Sequence, residues 1–201
     1  MAPPSRTWAG TTLDARRSAR RERLLEAGLD LLGTAGSSAV SVRAACRHAR
    51  LTERYFYESF ADREELVRAV YDHVGGEAHR ALVGAVSAAP ANATARAEAA
   101  VTAFVELIVD DPRRGNVLLL GPTTDPALTG QGVDLLPAFA ELVRERLSHG
   151  TDDLDRQMTA IALVGALANV FIAYLNGSLA VGRERLIGHC VRLVLGADAR
   201  H

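Results

Sequence analysis

The sequence predicts an all-α fold, with an N-terminal three-helix helix-turn-helix DNA-binding domain followed by a C-terminal helical bundle. Three observations predict it. Apolar residues recur at helical spacing along most of the chain, and strict alternation is scarce. Short clusters of Gly, Pro, Ser and Asp separate these periodic segments. Charge is uneven: residues 1–60 carry ten Arg against six acids, and residues 61–201 carry thirteen Arg against eighteen. A basic segment on an acidic remainder suits one part for a polyanion and leaves the rest for another task.

The elements follow in order. Residues 1–13 read as a disordered arm with no apolar segment of signal-peptide type. Asp14 caps a first helix to about Ala35, whose buried stripe is Leu24, Leu25, Ala27, Gly28, Leu31 and Leu32. The run 33–38, rich in Gly and Ser, ends it. Ser41 caps a helix over 42–48, and Thr52 caps another over 53–59. Asp62, with Glu65 three residues on, forms a capping box for a helix toward residue 87, in which Gly75 and Gly76 are a candidate bend and hinge. Further helices are expected over 95–109, 112–120, 135–147, 152–175 and 183–195, the last closed by Gly196. Residues 121–132 read as a long loop, a candidate gate, with a turn at Asp125-Pro126. The domain boundaries expected are 14–61 and 62–201.

Residues 51–60 hold four of the ten aromatics in the chain: Tyr55, Phe56, Tyr57 and Phe60. Phe56 and Phe60 are four apart, so they share the buried face of a short helix. Tyr55 and Tyr57 lie roughly 100° to either side of Phe56. Three small helices cannot bury all four rings. Arg54 and Tyr57 therefore share the open face. A guanidinium beside a phenol on the second helix of such a unit suits phosphates and base edges in the major groove.

Residues 23–72 also resemble the DNA-binding segment of TetR-type (tetracycline-repressor-like) transcriptional regulators. The resemblance rests on the first-helix stripe, Gly-x-x-x-x-Ser-Val-Arg at 36–43, Ala49, and the pattern Tyr57, Phe60, Arg63, Leu66. It implies that Arg43, Arg54, Tyr55 and Tyr57 meet DNA, with Tyr57 on a phosphate, and that Arg63 anchors the start of the fourth helix to the DNA backbone. Ser41 and Thr52 are either phosphate contacts or plain caps. The sequence departs from the family pattern at Arg50, where Gly is usual before the third helix. It departs also at Ala45 for Ile, at Ser59 for His or Tyr, and at Arg63 for Lys.

The resemblance further implies a homodimer on a palindromic double-stranded DNA operator, and release by a small-molecule effector. In the helix over 152–175, Ala162, Ala166, Asn169 and Ala173 make a face of small residues suited to close helix approach. Leu186, Cys190 and Leu193 on the last helix are its expected partners in the dimer interface. Candidate pocket walls are Phe104, Ile108, Leu119, Phe139, Val143 and Asn169, and the few aromatics and absent Lys point to an apolar effector. For Asn169 a hydrogen bond across a helix interface is the competing reading.

Other functions are excluded on motif grounds. No phosphate-binding Gly loop, GxSxG or HExxH occurs, and the six His are scattered, so neither catalytic residues nor a metal site nor a cofactor is expected. Cys46 and Cys190 read as reduced core residues, which fits a cytoplasmic protein. The uncharged run 158–175 reaches the lower length of a membrane span. Its five alanines and its polar Thr159 and Asn169 favour instead a helix buried on all sides. The alternative to an operator-binding regulator is a relative without DNA binding that acts as a protein-interaction partner.

Overall fold

The computed structural model of the chain describes residues 13–129, 140 and 152–198. Among them no strand occurs, and helices follow one another through short turns. They are α1 (Leu13–Ala35), α2 (Val42–Ala49), α3 (Glu53–Tyr57), α4 (Arg63–Ala88), α5 (Ala93–Val105), α6 (Pro112–Gly115), α7 (Gly121–Thr124), α8 (Asp153–Leu175) and α9 (Arg183–Asp198). Wider π-type turns extend α5 over Glu106–Asp110 and α6 over Asn116–Leu120. The expected helix over 135–147 lies outside the described residues except for Ala140, which is helical and buried against Ala160 and Val164.

Local chemistry sets most boundaries. The Ser41 hydroxyl accepts from the Ala44 N–H, and the Asp62 carboxylate from the Glu65 N–H. The Glu65 carboxylate in turn accepts from the Ala61 N–H, one residue before the cap, a shifted form of the expected capping box. Asn92 caps α5, and Asp111 caps α6 with Pro112 in its first turn. Thr52 holds the cap position of α3 without a side-chain capping bond.

Packing starts from α1. Its buried stripe includes Leu29, whereas Leu31 is only half-buried. Phe56 and Phe60 are fully buried, 5.7 Å apart between ring centroids, among Leu24, Ala45, Cys46 and Leu66. This core does not stop at the end of the three-helix unit. It continues along α4 through Val67, Val70, Tyr71, Val74 and Ala78, and takes in Val117, Leu118 and Leu128 from the second half of the chain. A second core joins α5, α8 and α9 through Ala97, Val101, Val105, Ile108, Phe171, Leu186 and Cys190.

Three expectations are corrected here. Gly75 and Gly76 lie inside an unbroken α4, where Gly75 is buried in helix packing, so the pair forms no bend. Residues 121–128 form a helical turn and a 3-10 turn rather than an open loop, because Asp125 and Leu128 are pinned into the core. The last helix runs through Gly196 to Asp198. A fourth correction concerns α8. Of its residues only Ala160, Leu163 and Phe171 are buried, while Leu154, Met158 and Ile161 are exposed. An 18-residue window of it has mean hydropathy 2.0, and only 17% of that window is buried.

Close approaches make two glycines opposite probes. A Cβ on Gly33 would lie 2.7 Å from the backbone of Arg113, while nothing stands within 4 Å of one on Gly84. Gly33→Ala should therefore cost about 1–3 kcal/mol through steric displacement. Gly84→Ala should stabilise by up to about 1 kcal/mol through helix propensity. Urea unfolding of the two variants checks the opposite signs.

Candidate nucleic-acid interface

The interface is built on α2 and α3. The turn between them carries Arg50 in the left-handed region, at φ 51° and ψ 48°. This is the one non-Gly residue with positive φ among those described. The N–H groups of Arg50 and Leu51 return to Arg47 and Cys46, which closes α2 with a Schellman turn and explains why Gly is usual there. Arg23 of α1 donates to the Ala49 and Arg50 carbonyls, so α1 ties off the same helix end. The strain of a side chain in this conformation, about 1–2 kcal/mol, is thereby held by two anchors.

The open face carries Arg43 and Arg54, whose side chains are 88% and 85% exposed. Tyr57 stands beside them at 58%, edge-on to Phe56 at 5.5 Å. The exposed Thr52 shares the start of α3. Arg43 pairs with Glu53 at 3.5 Å and Arg54 with Glu58 at 3.5 Å. The structure thus brings Arg43, Thr52, Arg54 and Tyr57 together and leaves the Ser41 hydroxyl engaged as a cap. Tyr55 departs from expectation. It is half-buried beneath the Arg20 guanidinium, 4.5 Å from its ring centroid, because that flank of α3 packs against α1.

Arg63 is the clearest correction. Its guanidinium turns inward instead of standing at the helix start toward solvent. Nε donates to the Val40 carbonyl at 3.0 Å, and Nη2 donates to the Ser37 carbonyl at 2.9 Å and to Asp125 Oδ2 at 2.6 Å. The Ser37 hydroxyl also donates to Asp125 at 2.7 Å, and the Ala127 N–H at 2.9 Å. Asp125 is 1% exposed. Burial alone would raise its pKa, but these donors outweigh burial and hold the carboxyl below its usual range. An Arg fork satisfies several acceptors at once, and a carboxylate this deep needs all of them.

A second polar cluster joins α1 to α6. Arg113 donates to Asp111, Glu26 and Asp30, and Asp30 also pairs with His48 of α2 at 2.7 Å. Arg114 reaches Asp111 and Glu77 of α4, each at 3.0 Å. The hydrogen bond from Arg113 lowers the Asp111 pKa despite burial. At Asp30, burial pushes upward and is outweighed by Arg113 and His48.

The candidate pocket and dimer residues divide. Phe104 packs on Phe171 at 5.0 Å, Ile108 is fully buried beside them, and Leu119 touches both cores. Phe139 and Val143 lie outside the described residues. Asn169 is exposed and donates to the Gly165 carbonyl of its own helix, so it faces away from the apolar cluster. Ala162, Ala166 and Asn169 are exposed and Ala173 half-buried, which puts them on or beside the uncovered face of α8. Leu186 and Cys190, expected in a dimer interface, are fully buried inside this chain, with Leu193 half-buried. Burial pushes the Cys190 thiol up to about 11. The opposite assignment arose because both faces of α9 carry apolar residues.

Residues 24–70 match the family model of bacterial regulatory proteins, tetR family. The match spans α1 from Leu24, α2, α3 and α4 to Val70, so this segment is similar to the DNA-binding part of that family. No curated protein matches the chain in sequence. Solved structures do match in fold along nearly all of it. A protein from Pseudomonas aeruginosa PAO1 assigned as a transcriptional regulator superposes with a TM-score of 0.73 at 23% identity, over 92% of this chain and 96% of that one. A TetR-like transcriptional regulator from Rhodococcus sp. RHA1 gives 0.72 at 20%, over 92% and 98%. The transcriptional regulator FadR from Bacillus subtilis, in complex with stearoyl-CoA, gives 0.68 at 13%, over 89% and 97%. Within the matched segment the helix-turn-helix is α2 and α3, and α4 leads from it into a helical second half.

Residues that motif reading missed include Arg17, Arg20 and Arg23, which brace α3 and the turn before it, and the Ser37–Asp125 pair. The arginine run at 15–23 was visible in the charge balance, but nothing local separates bracing from DNA contact. Arg63→Ala should cost about 3–5 kcal/mol, because it strands the Asp125 carboxylate. Asp30, Asp111 and Asp125 all have lowered pKa values, so they stabilise the fold above the ordinary carboxylate range, and this is lost as pH falls through and below about 4. Asp125→Asn should flatten that acid loss. Urea unfolding at pH 7 and at acid pH for the three proteins measures both effects.

Proposed function

We propose that this chain is a homodimeric transcriptional repressor that binds a palindromic operator and is released from it by a small apolar effector in the cytoplasm. The observation that carries this reading is the open face of α2 and α3, where Arg43, Arg54, Thr52 and Tyr57 converge on a rigid, capped pair of helices. Guanidiniums read guanine edges or phosphates, and a phenol and a hydroxyl suit phosphates. A helix as short as Glu53–Tyr57 spans few base pairs. Two copies related by a two-fold axis supply the rest of the specificity.

The uncovered face of α8 supports the dimer. Leu154, Met158 and Ile161 are exposed, and Ala162 and Ala166 beside them let a second helix approach closely. The effector reading rests on Phe104, Ile108, Leu119 and Phe171, an apolar group between the halves of the chain. The structurally similar FadR is in complex with stearoyl-CoA, whose acyl chain is apolar. The route from effector to reading head is short. Leu119 lines the apolar group, Val117 and Leu118 enter the first core, and Asp125 holds Arg63 at the start of α4. Displacing Leu119 would shift this segment and with it the reading head.

The test is binding to the DNA flanking the gene and to duplexes selected from a random pool, at several salt concentrations. A palindrome should be bound with affinity that falls steeply with salt, by about 0.9 log units per log unit of salt for each phosphate contact. Arg54→Ala and Tyr57→Ala should each weaken it by about 10–100-fold, the range of one base or phosphate contact. Ile161→Glu should give a monomer by light scattering with much weaker operator affinity. A wild-type dimer with no preference for any duplex would refute operator binding and turn attention to a protein partner.

A further inference from the structure

We infer that Glu53 and Glu58 are specificity-determining residues, which hold the two reading arginines on carboxylates so that only a matched DNA site draws them off. The inference deepens the DNA-binding reading and rests on it. Arg43 and Arg54 are exposed guanidiniums on the open face, and each pairs with a glutamate of the α3 segment: Arg43 Nε with Glu53 Oε1, and Arg54 Nε with Glu58 Oε1, both at 3.5 Å. Glu58 is held from behind by α1. Glu58 Oε2 accepts from Arg20 Nη2 at 3.3 Å, and its carbonyl accepts from Arg17 Nη2 at 2.7 Å. Glu53 stands in the first turn of α3, where the helix dipole favours a carboxylate.

In each pair the arginine is the more exposed member, 88% against 51% for Arg43–Glu53 and 85% against 35% for Arg54–Glu58. Exposed pairs of this kind are weak, so a well-placed guanine edge or phosphate can take the arginine. What remains on the surface afterwards is a negative charge facing a polyanion. On random DNA that repulsion has no compensation, and loose phosphate contacts gain little. On a matched site the arginine contacts are bidentate, and their gain offsets the repulsion. Residues 41–60 carry four Arg and two Glu, so the glutamates halve the formal charge of the reading head. They weaken non-specific binding, which is almost wholly electrostatic, more than they weaken specific binding.

The experiment uses the full-length chain, a duplex selected from a random pool, and a scrambled duplex of equal composition, between 50 and 200 mM salt. Glu53→Gln and Glu58→Gln keep side-chain size and, at Glu58, a neutral acceptor for Arg20. Each should raise affinity for the scrambled duplex by about 3–10-fold at the lowest salt, with a steeper salt dependence, and change affinity for the selected duplex by less. The double variant should lose about tenfold or more in the ratio of the two affinities. Equal gains on both duplexes would overturn the inference, since the glutamates would then only set net charge. A loss confined to the selected duplex would overturn it also, by making them direct readers or structural supports. Thermal unfolding of each variant separates misfolding from either result. If the wild-type protein discriminates between duplexes and the ratio is unmoved in the variants, the inference alone fails. If the wild-type protein binds neither duplex, the DNA-binding reading itself fails.

Discussion

The Arg63 guanidinium, locked between Ser37, Val40 and Asp125, is the contact on which the arrangement of this chain depends. It joins three segments that the backbone brings from far apart: the turn after α1, the first residue of α4, and the turn following α7. Asp125 is buried, so its charge is tolerable only with these donors in place. The network therefore behaves as a latch with one closed geometry. It sets the direction in which α4 leaves the helix-turn-helix, and α4 carries the shared core onward through Val67, Val70 and Val74. The segment between α6 and Asp125 is thus tied to the start of α4 by this contact, beside the packing of Val117, Leu118 and Leu128 in the shared core.

The absence of lysine shapes how charge is used. Every basic side chain is a rigid fork of donors, and the chain applies these forks to its own carbonyls as well as to solvent. Arg23 closes the end of α2, Arg17 closes the end of α3, and Arg20 lies over Tyr55. The basic N-terminal segment is thus only partly available to DNA. Arg43 and Arg54 remain exposed, and even these are matched by glutamates. Net charge along the sequence overstates the positive field that a polyanion would meet.

The uncovered apolar side of α8 and the polar junction of α1 with α6 divide the second half into two different surfaces. On one side Leu154, Met158 and Ile161 stand exposed. On the other, Arg113 and Arg114 gather Asp111, Glu26, Asp30 and Glu77, and link α1, α4 and α6 in a lattice of charge-assisted bonds. The first surface suits association, because apolar area gains by leaving water. The second fixes internal geometry, because directional bonds resist sliding of one helix over another.

Much of the fold and part of the site were legible before any coordinates. Capping residues, proline and the helical period are local signals, and they placed α1, α2, α4 and α8 to within a residue or two, with Phe56 and Phe60 inside and Arg54 and Tyr57 outside. Chemistry that acts over three or four residues is written in the sequence itself. The direction of Arg63 was not, because its partner is Asp125, 62 residues away in a stretch whose Gly and Pro content reads as loop. Nor could the period say which apolar face of α9 would be covered by its own chain, or that Asn169 would turn outward. A periodic pattern tells which residues share a face. Only the packed helices decide what that face meets, since burial and charge pairing are properties of neighbours brought together by the whole chain.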